Sequence, residues 1–286
     1  MNEEFTLKGI WWLPNREDRK FFGTLHFSPE EGGILELESS FVDLFQLLQG
    51  KTSNPDIILG ISRDGKEITL YNCLQKSTKW NFSGYPFSSF LIEKIFIGSH
   101  FNEKAEIKFK KVGIRYSHLD KWIKTSGFKI QLEEYKENNT TGTIIKYKLP
   151  QSIQTKIRKD IGISIDFQVE GLPLTYTREV HIREAPIINL EFPEERPIDE
   201  ILELINLLQN FLTLGVSKPV IPLMIRGKTK RQMRSESQVT ELNFDSGNIK
   251  EFESEKIDRS QMFFTFEDIK DRFDSFFNNW IEKKEL

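Results

Sequence analysis

The sequence predicts an α+β fold that is predominantly β: antiparallel sheets packed as a sandwich-like core, with a few flanking helices. Three observations carry this. Short runs alternate apolar and polar residues, the cleanest being Ile161, Ile163, Ile165, Phe167 and Val169, and a period of two puts such residues on one face of a strand. Turn signals separate the runs, among them Asp64-Gly65 between two apolar stretches, a hairpin signature. The helical period is sustained in only two stretches, near 197–215 and 265–283.

Gly9-Ile10-Trp11-Trp12-Leu13-Pro14, followed by Phe21 to Phe27, reads as a hairpin. Neighbouring strand side chains point to opposite faces. Trp11 and Trp12 therefore require both faces to be covered, or one indole to pack at an edge. A turn over Ser28–Gly33 leads to a strand with Leu35 and Leu37 on one face. Phe41–Leu48 is a strand end or a helical turn, and Lys51–Pro55 is a loop. Ile57–Ser62 and Glu67–Tyr71 form the Asp-Gly hairpin. Trp80–Ser83, Ser89–Ile97 and Ala105–Ile114 follow as strands. Leu119, Trp122 and Ile123 share a helical face in a short helix that begins near Ser117 and that Gly127 stops.

A second β-rich stretch starts at Phe128. Its strands are Phe128–Leu132, Gly142–Leu149, Ile161–Val169, Leu174–Ile182 and Ile187–Phe192, with a polar turn over Glu133–Thr141. Pro197–Gly215 is the best helix: proline in the first turn, acids beside it and glycine at the end. Its wide apolar arc predicts burial on more than one side. Short strands over Val220–Ile225, Val239–Phe244 and Met262–Phe266 lead to a final helix from about Thr265 to Lys283, with Thr265 and Asp268 together as its cap. Ile269, Phe273, Phe276 and Trp280 stripe that helix, which needs a partner, either the sheets or a following domain. The expected structural core includes Trp11, Trp12, Trp122, Phe211 and Trp280. A boundary near 127 gives a β-rich part, 1–127, and a second β-rich part with the helices, 128–286, unless the two form one continuous domain; 193–197 is another place for a break.

Composition narrows the function. The chain has 286 residues and a net charge of −3, so global charge does not advertise a nucleic-acid binder. The 24 phenylalanines point to aromatic packing between sheets rather than a cofactor box. Cys73 is the single cysteine, which rules out an intramolecular disulfide and a cysteine zinc cluster. No run approaches the ~20 apolar residues that span a bilayer, and no signal-peptide pattern opens the chain. The expectation is a cytoplasmic protein without a cofactor and without a membrane partner.

Catalytic signatures are missing from the sequence. His26, His100, His118 and His181 do not fall at metal-ligand spacing, and no zinc-protease helix, phosphate loop or dinucleotide fingerprint occurs. Gly98-Ser99-His100 is too short to be a motif. Arg178 and His181 could supply phosphate-charge and proton chemistry, but they are three apart in an alternating stretch and face opposite sides. Asp43, Asp56, Asp64, Asp120, Asp166 and Asp199 form no close pair. The one charged feature is a basic run, Lys218, Arg226, Lys228, Lys230, Arg231 and Arg234, with no acid between 218 and 234. As a loop it could hold an RNA or DNA backbone, or be a solvated connection without stacking platforms.

The order of features resembles the N-terminal region of ApeA-type bacterial anti-phage defence proteins. The residues that carry the likeness are Gly9–Pro14, Gly23-Thr24-Leu25, Gly32-Gly33-Ile34, His118–Ile123 with Gly127-Phe128, Leu208–Leu214, and Phe264–Ile269 with Trp280. In that family a β-rich region precedes a helical HEPN domain whose Arg-x4-6-His motif is associated with RNA cleavage and arrest of the infected cell. The resemblance implies a non-catalytic sensor or regulator here, since no residue matches the nuclease motif. The implied partners are a HEPN ribonuclease domain in cis or in trans and a phage-derived trigger; a homo-oligomer is a further option. Two other classes stay open: a stand-alone nucleic-acid or phosphate-binding module using 218–234, and a hydrolase or glycan-active sandwich.

Overall fold

The computed structural model describes residues 4–42, 53–79, 86–135, 140–157, 161–171, 182–235, 238–244 and 258–282. The chain opens with β1 (Phe5–Trp12), β2 (Phe21–Ser28) and β3 (Gly32–Leu37), then β4 (Ile57–Ser62), β5 (Glu67–Lys79) and β6 (Phe87–Ile97). Each is antiparallel to its neighbours, and the pairing returns on itself: β1 to β2, β2 to β3, β3 to β6, β6 to β5, β5 to β4 and β4 to β1. The result is a closed barrel of six strands, an arrangement that leaves the strands paired on both sides.

Burial on the two sides of the barrel wall explains the tandem tryptophans. Trp11 points inward, fully buried among Leu25, Leu35, Leu37, Ile58 and Phe90. Trp12 points outward and packs with Ile57 and Leu59, its ring meeting His100 edge-on at 5.4 Å. Both faces of β1 are therefore covered at this point, the first of the two options its sequence allows. The Asp64-Gly65 hairpin between β4 and β5 is also present, with Gly65 at φ +81.

The remaining strands are β7 (Lys108–Tyr116), β8 (Phe128–Tyr135), β9 (Thr140–Tyr147), β10 (Ile153–Ile157), β11 (Ile161–Glu170), β12 (Arg183–Pro197), β13 (Pro222–Lys228) and β14 (Thr240–Phe244). β6 is shared. Ser88 to Ile92 pair with β3, whereas Lys94 to Ile97 pair with β14. From β14 the same sheet runs on through β13, β7, β12 and β11 to β10, and β8–β9 form a separate hairpin.

Helices α1 (Leu119–Ile123), α2 (Ile198–Val216), α3 (Phe266–Ile269) and α4 (Phe273–Glu282) cover the inner face of this extension. Ile198, Ile201, Leu204, Ile205, Leu208, Phe211 and Leu212 form the buried arc of α2, the spacing that sets one side of a helix against a sheet. Phe211 lies at its centre. Six other rings surround it: Trp122, Phe264, Phe273, Phe276, Phe277 and Trp280. Trp122 and Phe211 are fully buried, and Trp280 is half-buried at the margin.

Several local expectations are corrected. α2 does not stop at Gly215. Ser217 takes the left-handed conformation at φ 60, and Gly215 sits inside the helix because a Cβ there would lie 2.9 Å from both the Phe264 ring and Trp122 Nε1. α1 likewise ends on Lys124 at φ 65, before Gly127. The C-terminal stretch is two helices joined by a tight turn at Lys270–Arg272, and no strand forms over Met262–Phe266. The arms of the β8–β9 hairpin run into the stretch read as a polar turn over Glu133–Thr141. The expected elements over 43–48, 80–83 and 174–181 lie outside the described residues. Among the described residues no helix is long and apolar enough to cross a membrane.

Candidate binding cleft where the barrel meets the open sheet

At the end of β6 the chain must leave the barrel, and Gly98 makes the exit at φ +112. Its N–H donates to Glu67 O at 2.8 Å, and a Cβ would sit 2.3 Å from Val239 O. Ser99-His100-Phe101 then folds across the outer face of β4 and β5. Thr69 Oγ1 donates to Ser99 O and accepts from the Phe101 N–H, each at 2.9 Å. His100 Nε2 lies 2.8 Å from Gly60 O; a carbonyl only accepts, so this nitrogen carries the proton. His100 is thus a structural clasp over Trp12.

The opposite wall is the connection from β13 to β14. Gln232 is buried there at 5% exposure. Its Nε2 lies 2.9 Å from Ser99 Oγ and 3.1 Å from Thr240 Oγ1, and its Oε1 accepts from Thr229 N–H at 3.1 Å. A buried amide satisfied at both ends holds its two walls in a fixed geometry. Between the walls is a cleft of about 660 Å³, bordered by Lys66, Glu67, Ser99, His100, Arg231 and Glu241. Its charge is mixed, two cations and two carboxylates. The arrangement suits a polar ligand with charge of both signs better than a bare polyanion. Among the described residues no group of three His, Cys, Asp or Glu is placed to hold a metal ion.

The basic run is not one loop. Lys218 follows the end of α2, Arg226 and Lys228 lie on β13, Lys230 and Arg231 form the turn, and Arg234 closes a short 3-10 turn, Gln232–Arg234. Arg231 alone among them borders the cleft. Arg226 places both Nε and Nη2 2.8 Å from Glu241 Oε1. Lys228 Nζ donates to Ser235 O at 2.9 Å, and the Lys230 N–H donates to Glu195. Glu241 comes from outside 218–234, so counting charge along the run overstates what Arg226 presents to solvent.

His26 is exposed beside Thr6 and Glu36, His118 is buried at the start of α1, and Arg178 and His181 lie outside the described residues. Sequence reasoning missed Gln232, Glu67 and Glu241 as cleft residues. Gly98 was the available signal, a glycine directly after an apolar strand where the chain has to turn out of the barrel.

The sequence profile of the family described as ApeA N-terminal domain 1 matches residues 6–280. No curated protein and no solved structure matches the chain. The matched span takes in the barrel, the shared strand, the open sheet and all but the last residues of α4, so the likeness extends over both walls of the cleft. The chain belongs to the ApeA N-terminal domain 1 family, and is an N-terminal domain of an ApeA-type defence protein.

Proposed function

We propose that this domain is the sensing and regulatory part of an anti-phage abortive-infection protein, controlling a HEPN ribonuclease that follows it in the same polypeptide or joins it from another chain. The observation that supports this is the family match across residues 6–280. In this reading the domain performs no RNA cleavage; it restrains or releases a nuclease in response to a phage-derived trigger. The cleft between Lys66 and Arg231 is the place such a trigger, or a polar part of one, would bind.

The natural reading frame supplies the first test. A continuation past residue 286 into a helical segment with Arg-x4-6-His supports control in cis; a frame without one moves the nuclease to a partner. The functional test is infection of cells carrying the complete protein with and without residues 1–282. Loss of infection-dependent growth arrest, or arrest without infection, supports the regulatory role, and unchanged behaviour defeats it.

A further inference from the structure

The aromatic cluster around Phe211 has a sealed centre but is open along one edge. Phe263 is 74% exposed, Leu214 45% and Phe276 39%. These three are connected rather than scattered. The Phe263 N–H donates to Gly215 O at 2.9 Å, which fixes its backbone on the last turn of α2, the turn that also carries Leu214. The Phe263 ring centroid is 6.1 Å from that of Phe264, and Phe264 is 5.3 Å from Phe276. One helical turn beyond Phe276 is the half-buried Trp280. An apolar strip therefore runs from the end of α2 along the flank of α4. Connected exposed apolar surface of this kind marks an interface.

We infer that this strip is the docking face for the polypeptide that follows α4 in the complete protein. The inference rests on the proposed regulatory reading and names the surface through which it acts. Two features select this occupant. The strip leads along α4 toward its last turn, Trp280 to Glu282, and the family describes an N-terminal domain, so the nearest partner is tethered at the strip itself. A tether gives an effective concentration on the order of millimolar, enough for a small patch to stay covered. A second copy has no tether, and a stable association between free chains needs roughly 800 Å² on each partner. Three exposed apolar side chains are a small part of that.

The test is hydroxyl-radical footprinting of the full-length protein. Phe22, 67% exposed on the barrel wall, is the internal reference for Phe263. Docking predicts that Phe263 labels several-fold less than Phe22. It also predicts that Phe276→Asp restores Phe263 labelling and opens the chain after α4 to limited proteolysis. Equal labelling of Phe22 and Phe263 in the unmodified protein overturns the inference. Protection that disappears on dilution, with a doubled mass by light scattering, overturns it in favour of a second copy. If Phe263 labels like Phe22 while deletion of residues 1–282 still changes growth arrest, docking fails and the regulatory reading stands. If that deletion changes nothing, the regulatory reading itself fails.

Discussion

Trp11 and Gly60 are strand partners, and the indole lies against the glycine so closely that a Cβ on residue 60 would be 2.2 Å from Trp11 Cε3. The ring occupies the space of the missing side chain, and its Nε1 donates to Gly23 O at 3.2 Å on the neighbouring strand. Gly60→Ala must push a fully buried ring off that position. Overpacking of this kind costs about 1–3 kcal/mol. Chemical denaturation followed by tryptophan fluorescence should show the loss; an unchanged midpoint would contradict the packing.

Phe211→Ala should be more damaging. It removes the ring that Trp122, Phe264, Phe273 and Phe277 all touch and leaves a cavity between α2 and α4. Phenylalanine truncation in a closed core costs about 3–5 kcal/mol. Phe276→Ser, at the open edge of the same cluster, should cost much less. Equal losses for the two variants would mean that the cluster has no sealed centre.

Burial pushes the Cys73 thiol far above its ordinary range, with Asp56 adding in the same direction. The thiolate is the reactive form. Cys73 should therefore resist a thiol reagent at neutral pH and react fully in denaturant, its labelling rate reporting the opening of the barrel. Prompt labelling of the native protein would contradict this.

The Asp268 carboxylate accepts from the Thr265 N–H and from its hydroxyl, each at 2.7 Å. The backbone bond first and the hydroxyl second hold its pKa below the ordinary 3.8. For a lowered carboxyl the stabilisation is present above 3.8 and fades as pH falls through the folded value. Asp268→Asn should lower the melting temperature at neutral pH, and the gap to the parent should close in acid. A gap independent of pH would assign the effect to shape rather than charge.

Charge at the cleft separates two kinds of cation. Arg231→Glu should weaken any polyanion bound there, most strongly at low salt, with little change in stability. Arg226→Glu instead sets two carboxylates together at Glu241 and should reduce stability. A filter-binding titration and a melt on each variant check the pair.

Local patterns in the sequence were enough for most strands and the α2 arc, because each depends on residues a few positions apart; for Trp11 and Trp12 they left two arrangements open, between which the barrel wall decides. Barrel closure was not legible. It depends on β6 pairing with β3 and β5, contacts without a local signature. The break at Lys270–Arg272 was hidden for another reason: Ile269, Phe273 and Trp280 keep helical spacing across it. The layout of the basic run was not legible either, because the pairing of Arg226 with Glu241 follows from the β13–β14 register and the approach of Glu195 to the Lys230 backbone from a fold-level contact with β12.

β6 has a consequence for how the molecule fails. Its Phe90, Ile92 and Ile95 belong to the barrel interior, while Phe96 belongs to the core beneath the helices. A slip of one residue along this strand would exchange inward and outward side chains in both cores at once. Neither core can therefore be lost by β6 slippage while the other keeps its native side chains. A single melting transition is the expected result, and an insertion in β6 should be more harmful than one of equal length in any other strand.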